Sequence, residues 1–392
     1  MDYSSDLPLK PGATIAILGG GQLGSMLCEA AKRMGYRTLG VSNHESDPIA
    51  RWADHHLVAD PSDPATVARL ARQAQVITVE AESIDPEALQ AAELAGATVA
   101  PGSQVQRVVR DRRLEKTFLA GVKLPDGQSA VGDFRIAESP AQMSRAVAEL
   151  FAAGAQKIVC KTARGGYDGK GQRWIQDPHH ALAVFEALGR VPLVLESGIN
   201  FSAEASVIVA RGADDRITYF PVFRNEHRHG ILHQTVMPGG FSEGVAIRAI
   251  QMAGAVARQL KVVGLLAVEQ FVLPDGRVLV NELAARPHNS GHVTLRAAGR
   301  SQFEMHVAAI CGLPLPRVEV LRPAVMTNLL GDLWTTGEPD FPAVLADGRA
   351  TLHLYGKSPR AGRKMGHLIH TGATCEKALA AADAAWKILS GD

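Results

Sequence analysis

The chain has 392 residues, of which 46% are hydrophobic and 21% charged, a composition typical of a globular protein with more than one domain. The formal net charge of +1 excludes a global electrostatic attraction to nucleic acid, and no apolar run is long enough to cross a bilayer. The polar start predicts no signal peptide and the four cysteines form no CxxC pattern, so we expect a cytoplasmic protein with reduced thiols that binds neither nucleic acid nor membranes.

The first predicted elements form a strand, a glycine turn and a helix. Residues 14–18 are apolar, residues 19–24 fit GxGxxG, and residues 25–34 have a helical pattern. A dinucleotide site also needs an acid at the end of the second strand, but that strand, 38–41, is followed by Ser42 and Asn43. The pattern therefore favours an anion or ribonucleotide site on a Rossmann-like domain, with a purely structural turn as the alternative.

The next buried strand, residues 76–79, is followed by Glu80. Open α/β sheets bind ligands at the carboxyl ends of their strands, so Glu80 is a candidate acceptor for ribose hydroxyls. A solvated strand end without function is the alternative. A new unit is predicted to start near residue 101, with one helix over residues 103–118.

A glycine-rich stretch, residues 165–172, lies between two strand-like runs, 158–161 and 172–175. Glycines let backbone N–H groups approach a phosphate closely, and Lys161 and Lys170 supply positive charge. No Ser or Thr follows Lys170 and no helix comes next, so the stretch is not a P-loop. We predict a phosphate-binding β-hairpin, with a flexible turn as the alternative.

A strand is predicted over residues 193–196, and it ends at residues 197–199. The backbone at this strand end offers hydrogen-bond donors and acceptors to the edge of an adenine ring. Glu196 is a candidate acceptor for the adenine amino group, and Glu204 follows eight residues later. A helix is then predicted over residues 245–260.

Two strand patterns, 265–273 and 278–283, are joined by Asp275-Gly276, a strong hairpin signal. With a two-residue turn Phe271 faces Val280, and Glu269 faces Glu282. Facing carboxylates repel each other unless a cation lies between them, and Mg²⁺ takes one or two carboxylates plus phosphates. We predict a Mg²⁺ site here; a solvated acidic pair is the alternative, and a three-residue turn would shift the register.

The segment 282–292 is an irregular loop rich in polar residues. His288 and His292 have HxxxH spacing, but Pro287 and Gly291 disfavour the helix that a zinc site needs. Arg286 is the better candidate, as a holder of an oxyanion. A second boundary follows at 313–316.

The tail carries four cations within residues 357–364, which fit either a phosphomonoester or a solvated surface. A C-terminal helix is predicted over residues 373–389.

Together these stretches resemble the ATP-grasp enzymes, and most closely the N5-carboxyaminoimidazole ribonucleotide synthetase family of purine biosynthesis. The resemblance covers nearly the whole chain, from about residue 14 to residue 370. Its most specific segments are residues 20–24, 165–172, 196–202, 286–292 and 362–367.

This resemblance implies an α/β and α+β architecture in three parts. A Rossmann-like preATP-grasp domain would span residues 1–110, an ATP-grasp body with a mobile lid near 120–195 would span 111–312, and a small β-rich domain would span 313–392. The implied reaction joins bicarbonate to aminoimidazole ribonucleotide through carboxyphosphate, with ATP giving ADP and phosphate. The implied cation is Mg²⁺, or Mn²⁺, and the implied assembly is a homodimer. The acceptor of the amine proton stays open among Asp168, His288 and the departing phosphate.

The resemblance also implies roles for single residues. The Mg²⁺ ligands match Glu269 and Glu282, and catalytic positions match Arg286, His288, Asp168 and Lys357. Ribonucleotide and bicarbonate positions match Gly21, Gln22, Leu23, Glu80, Tyr167, Asp168, Arg286, His288, Asn289, Ser290, Lys357, Arg363 and Lys364. ATP-contacting positions match Arg112, Lys161, Gly166, Tyr167, Asp168, Gly169, Lys170, Gly171, Gln172, Glu196, Ser197, Gly198, Ile199, Glu204, His227, Asn281 and Glu282.

Some positions depart from the family pattern: Ser42 and Asn43 stand where relatives often carry an acid, and Ala285 stands where they often carry proline. Three other functions stay open. An NAD-dependent oxidoreductase is disfavoured by the missing acid, and a non-catalytic nucleotide-binding module leaves the paired carboxylates unexplained. A formate-using ATP-grasp enzyme is the third.

Overall fold

The structure is a computed structural model that describes residues 7–124, 127–166, 169–335 and 337–391. Its first unit is a parallel sheet with strand order β3-β2-β1-β4. The predicted Rossmann-like sheet is confirmed. Its elements are β1 (Thr14–Leu18), α1 (Gln22–Arg33), β2 (Arg37–Ser42), β3 (His55–Val58), α2 (Pro64–Arg69), β4 (Val76–Val79) and α3 (Pro86–Leu94).

The single helix predicted over residues 103–118 is wrong, because two helices, α4 (Ser103–Arg110) and α5 (Arg112–Ala120), meet at Asp111. Asp111 has an extended backbone (φ −122°, ψ 110°), and its side chain accepts a hydrogen bond from Arg113 N, as N-cap residues do. The carboxylate also pairs with Arg113 and Arg164. A buried, triply bonded cap therefore ends one helix and begins the next.

The lid is an antiparallel sheet with strand order β5-β8-β6-β7. Lys161 lies opposite Gln172 across the hairpin, so the predicted strand–turn–strand arrangement around the glycines is confirmed. Tyr167 and Asp168 lie outside the described residues. The lid elements are β5 (Phe134–Ala137), α6 (Pro140–Ala152), β6 (Ile158–Thr162), β7 (Gln172–Ile175), α7 (Ala181–Ala187) and β8 (Leu193–Ser197).

The third sheet has nine strands and is the largest in the described chain. Its strand order is β14-β13-β9-β11-β12-β15-β17-β16, and β10 pairs with β9. It crosses the predicted boundary near residue 313, because β12 pairs with β15. Its elements are β9 (Ala203–Arg211), β10 (Ile217–Tyr219), β11 (Phe223–Arg228), β12 (Ile231–Met237), α8 (Glu243–Leu260), β13 (Gly264–Val272), β14 (Val278–Ala284), α9 (Thr294–Ala297), α10 (Gln302–Ile310), β15 (Ala324–Leu330), α11 (Phe341–Leu345), β16 (Ala350–Leu354), β17 (Lys364–Thr371) and α12 (Cys375–Ser390).

The two faces of this sheet are covered differently. Helix α8 packs with β9, β13 and β14 into one apolar core. On the opposite side α10 contributes to a second core with β9, β12 and β15. No helix among the described residues is long and apolar enough to cross a membrane.

The register of the β13–β14 hairpin differs from the prediction near the turn. Phe271 faces Leu279 rather than Val280, because Leu273 N donates to Arg277 O and leaves a three-residue turn. A β-bulge then leaves Asn281 without a partner in the strand pairing, and from there Glu269 faces Glu282 as predicted. The longer turn shifts the pairing by one residue, and the bulge shifts it back, so that Glu269 and Glu282 face each other.

Candidate active site

The paired carboxylates of β13 and β14 each hold one cationic partner. Glu269 Oε1 lies 2.8 Å from His288 Nε2, and Glu282 Oε2 lies 3.4 Å from Arg112 Nη2. Burial opposes ionisation of Glu269, but His288, His227 and Lys364 outweigh it and hold its pKa below the usual range. Among the described residues, the second oxygen of each carboxylate has no hydrogen bond or ion pair. Two oxygens on facing strands fit a Mg²⁺ ion that takes its remaining ligands from phosphates and water.

Beside this pair lies a buried network of two lysines. Lys116 and Lys161 contact opposite oxygens of Glu196, at 2.7 and 2.8 Å. Lys116 also donates to Asn281 O at 2.7 Å, and Lys161 donates to Asn281 Oδ1 at 3.3 Å. Burial raises the pKa of Glu196, but the two lysines outweigh it and lower the pKa to about 2. The bulge at Asn281 thus turns both of its oxygens toward the lysines.

This network shows the partners that Glu196 has within the protein. Each oxygen of its carboxylate contacts one lysine, and its role as acceptor for an adenine amino group stays a prediction. Sequence reasoning also missed Lys116, whose side chain is only 2% exposed, and Glu115, which accepts from Leu283 N and whose pKa burial raises to about 8. Both lie on the face of α5 that carries Arg112 and Leu119, so the 3.6-residue period was the available signal.

Arg112 connects the lid to the acidic pair. Its guanidinium donates to Thr162 O at 3.4 Å and Gly166 O at 3.1 Å, in addition to contacting Glu282. Gly171, at φ +71°, lets the hairpin turn back so closely that a Cβ would collide with Thr162. The base of the hairpin and the carboxylates are thereby held within reach of one polyphosphate.

The strand end after Glu196 is partly used by the protein itself. Ser197 N donates to Asp133 O and Gly198 N donates to Lys157 O. Farther along, Glu204 Oε2 lies 2.8 Å from His227 Nδ1, and this contact raises the pKa of His227 against the effect of burial. Glu204 and His227 therefore contact each other, while the backbone donors at 197 and 198 are already occupied.

Glu80 supports the glycine turn. Its two oxygens accept from Gly21 N at 2.6 Å and from Gly24 N at 2.9 Å. Burial raises the pKa of Glu80, and these two N–H groups oppose that rise. The predicted acceptor for ribose hydroxyls is thus a buried anchor of the turn. Leu23 likewise packs its side chain into the core below.

The turn contacts the far end of the chain. Lys357 Nζ donates to Gln22 Oε1, which joins the first unit to the basic tail. Burial, with Arg363 and Lys364 nearby, lowers the pKa of Lys357 to about 8 against the pull of Glu80. Arg51, which sequence reasoning missed, lies against Gly356, so a fifth cation approaches the four of the tail.

The loop after β14 holds polar atoms that have no hydrogen-bond partner in the part of the chain that the structure describes. Arg286 Nη2 contacts Glu82 Oε1 at 2.7 Å, yet its Nε is buried with no hydrogen bond among the described residues. The Oδ1 and Nδ2 atoms of Asn289 are also buried without a hydrogen bond among the described residues. Such groups are costly to leave unsatisfied, so the loop fits a polar ligand.

His292 does not join His288 in a metal site. Its ring is buried and stacks on His367 with ring centroids 4.6 Å apart. No group of three or more metal-binding side chains is found in the described part of the chain.

Three domain families match the chain. The ribonucleotide synthetase preATP-grasp domain matches residues 12–110, the ATP-grasp domain matches residues 123–303, and the phosphoribosylaminoimidazole carboxylase C-terminal domain matches residues 324–381. Together these matches cover most of the sequence.

Similar full-length proteins give the same result. The chain is 40% identical over 364 residues to N5-carboxyaminoimidazole ribonucleotide synthase of Bacillus subtilis, covering 92% of each protein. The N5-carboxyaminoimidazole synthetase of Staphylococcus aureus in complex with ADP has a TM-score of 0.86 and 33% identity, with 97% of this chain and 98% of that chain covered. The synthase of Aspergillus clavatus in complex with ADP and 5-aminoimidazole ribonucleotide has a TM-score of 0.84 and 26% identity, with 97% and 100% covered.

Proposed function

Because the chain belongs to the N5-carboxyaminoimidazole ribonucleotide synthase family of ATP-grasp ligases, we propose that it carboxylates the amino group of 5-aminoimidazole ribonucleotide. Bicarbonate is the carbon source, and ATP is converted to ADP and phosphate in this step of purine biosynthesis. The observation that carries the proposal is the 2.8 Å contact between Glu269 and His288. This contact connects the acidic pair, which is suited to phosphates, with the loop in which Arg286 Nε and the Asn289 amide have no hydrogen bond among the described residues.

In the proposed first step a bicarbonate oxygen attacks the γ-phosphorus of ATP, and ADP leaves to give carboxyphosphate. A bound Mg²⁺, held by Glu269 and Glu282, would neutralise charge on the phosphates. Arg112 adds fixed positive charge at Glu282, and Lys161 adds it at the neighbouring Asn281. Such preorganised charge lowers the barrier most where water is excluded.

In the second step the ribonucleotide amine attacks the carboxyl carbon and phosphate leaves, while the amine proton passes to Asp168, His288 or the departing phosphate. The partly buried guanidinium of Arg286, held by Glu82, is suited to stabilise the negative charge that develops on the carboxyl oxygen. Asn289 offers one donor and one acceptor, both without protein partners among the described residues, to the substrate.

The ribonucleotide phosphate is assigned to the cations of the tail. Arg363 and Lys364 lie near Lys357, and the charge of each lowers the pKa of Lys357. Lys357 also touches Gln22 of the glycine turn, so a substrate held here would contact the first and last units together. This arrangement supports a requirement for the ribonucleotide before ATP is consumed.

The test is ADP release with each component omitted in turn. We expect little release with ATP, Mg²⁺ and bicarbonate, and a large rise when aminoimidazole ribonucleotide is added. Formate should not replace bicarbonate, and NAD should neither bind nor be reduced. Equal ADP release with and without the ribonucleotide would refute the proposal, and activity with formate would favour the transformylase alternative.

The remaining expectations rest on the family alone. We propose a homodimer in the cytoplasm that uses Mg²⁺, with Mn²⁺ as a substitute. Light scattering of the purified protein tests the assembly, and a mass of one chain would refute it. Metal titration of ADP release tests the cation.

A further inference from the structure

Gln302, the first residue of α10, contacts the site loop through both ends of its amide. Its Oε1 accepts from His288 N at 2.8 Å, and its Nε2 donates to His288 O at 2.7 Å. The side chain is completely buried. We propose that Gln302 is a positioning residue, which fixes the backbone of His288 and thereby the contact of His288 with Glu269. The inference rests on the proposed function in assigning that contact to catalysis.

Only a carboxamide satisfies both main-chain groups of His288 at once. It offers one acceptor and one donor in a fixed plane, whereas a carboxylate has no donor and a hydrocarbon has neither. The cost of replacing it is high, because the N–H of His288 would lose its acceptor and the C=O would keep, among the described residues, only the hydrogen bond from Gly291 N. The residue type at position 302 is thus set by the backbone of position 288.

The loop is folded tightly around this amide. Gly291 lies so close that a Cβ there would collide with Gln302 Oε1. Thr294 Oγ1 donates to Gly291 O at 2.6 Å and accepts from Gln302 N at 2.9 Å. Gln302 Nε2 also lies 3.2 Å from His292 Nδ1. The glycine within the His-Asn-Ser-Gly-His sequence is therefore explained by the close approach of Gln302 and of Ile208.

With its backbone fixed, the His288 ring is held at both nitrogens. Nε2 lies 2.8 Å from Glu269 Oε1, and Nδ1 lies 2.9 Å from Ser290 Oγ. Ser290 Oγ continues to Ser206 Oγ at 3.0 Å, inside the sheet. A shift of the His288 backbone by about 1 Å would break one of these contacts, and misplacement of this size can cost about 100-fold in rate. Gln302 acts on the site through His288, without touching the proposed substrates.

The test compares Gln302→Leu with Gln234→Leu. Gln234 is an equally buried glutamine that bonds to Thr327 and Asp383, away from the site. For Gln302→Leu we expect kcat to fall by about 10- to 100-fold while the KM for ATP changes less than about twofold, as for a lost outer-shell partner. For Gln234→Leu we expect a lower melting temperature with kcat retained. Gly291→Ala, which pushes the loop off the amide, should reproduce the kinetic pattern of Gln302→Leu.

Retention of kcat in both Gln302→Leu and Gly291→Ala would overturn the inference, and so would a parallel rise in the KM for ATP. A crystal structure of Gln302→Leu provides a readout independent of activity. It should show His288 Nε2 more than about 3.5 Å from Glu269, beyond hydrogen-bond distance. An unchanged contact would overturn the positioning role, whereas failure of the wild-type protein to release ADP with the ribonucleotide would refute only the proposed function.

Discussion

Glu269 lies directly opposite Glu282 across β13 and β14, and the residue that makes this possible is the bulged Asn281. We expect Glu282→Gln to lower kcat by more than about 100-fold, since even outer-shell partners of a metal cost 10- to 100-fold. The amide removes one anionic oxygen from the proposed Mg²⁺ site and weakens the contact with Arg112. The measurement is ADP release as a function of Mg²⁺ concentration, with circular dichroism to check the fold.

Glu226→Gln is the matched control, because Glu226 lies on β11 and pairs with Arg228 at the surface. It should leave the Mg²⁺ dependence unchanged. Full activity of Glu282→Gln at ordinary Mg²⁺ concentration would rule out a metal-binding role for the pair.

The hairpin shows how far sequence reasoning reaches. The facing carboxylates were predicted correctly, but the turn that justified them was not, since Phe271 faces Leu279. A bulge depends on contacts made by the extra residue, here Asn281 with Lys116 and Lys161, which come from other elements. Strand-period patterns carry no information on such contacts, so the agreement for Glu269 and Glu282 came from two compensating shifts.

The basic tail gives a second prediction, on the ribonucleotide phosphate. Alanine at Arg363 or Lys364 should raise the KM for the ribonucleotide by about 10- to 100-fold, the equivalent of roughly 1.5–3 kcal/mol for a charged hydrogen bond. The KM for ATP should barely change, because ATP is assigned to the lid and the acidic pair. Initial rates at varied concentrations of each substrate separate the two effects.

Arg349→Ala is the control for charge alone, since Arg349 lies in the same part of the chain but pairs with Asp347. It should leave both KM values unchanged. A rise in the KM for ATP alone in the Arg363 or Lys364 variants would place the ribonucleotide phosphate elsewhere.

Lys357 gives a pH-dependent prediction, because its pKa is lowered to about 8. Below this pH the ammonium is charged and attracts a phosphate; above it the charge is lost. We expect kcat/KM for the ribonucleotide to fall as the pH rises through about 8. A bound phosphate stabilises the ammonium, so kcat at saturation should fall only at a higher pH.

Lys357→Arg tests the assignment, because a guanidinium stays charged over this whole range. The variant should lose the decline in kcat/KM near pH 8 even if its absolute value is lower. A decline that persists unchanged in Lys357→Arg would assign it to another group.

Buried polar and charged residues were the hardest part of the site to predict. Neither Lys116 nor Gln302 lies in a local sequence motif. Lys116 contacts Glu196 and Asn281, which are 80 and 165 positions away, and Gln302 contacts His288, which is 14 positions away. Glu80 was identified as a site residue from its strand end, yet both of its oxygens bind the glycine turn. Sequence indicates which side chains meet at an edge, while tertiary contacts decide which of their atoms stay available for a ligand.

The last prediction concerns the connection between the lid and the acidic pair. Arg112 donates to Thr162 O and Gly166 O in the lid and contacts Glu282, so a single guanidinium spans both. A lysine has a compact charge and cannot make the same set of contacts in a fixed plane. We therefore expect Arg112→Lys to raise the KM for ATP by about tenfold, the equivalent of one lost net hydrogen bond of about 1.4 kcal/mol.

The same variant should also weaken closure of the lid over carboxyphosphate, which water destroys. An enzyme that loses no carboxyphosphate to water releases one ADP for each carboxylated product. We expect Arg112→Lys to release more than one, measured by assaying ADP and the carboxylated product in the same reaction. Arg107→Lys, at an exposed arginine that contacts Glu87 and Gln90, is the matched control and should keep the wild-type KM and ratio. If Arg112→Lys raises the KM for ATP but keeps the ratio at one, Arg112 binds ATP without holding the lid closed.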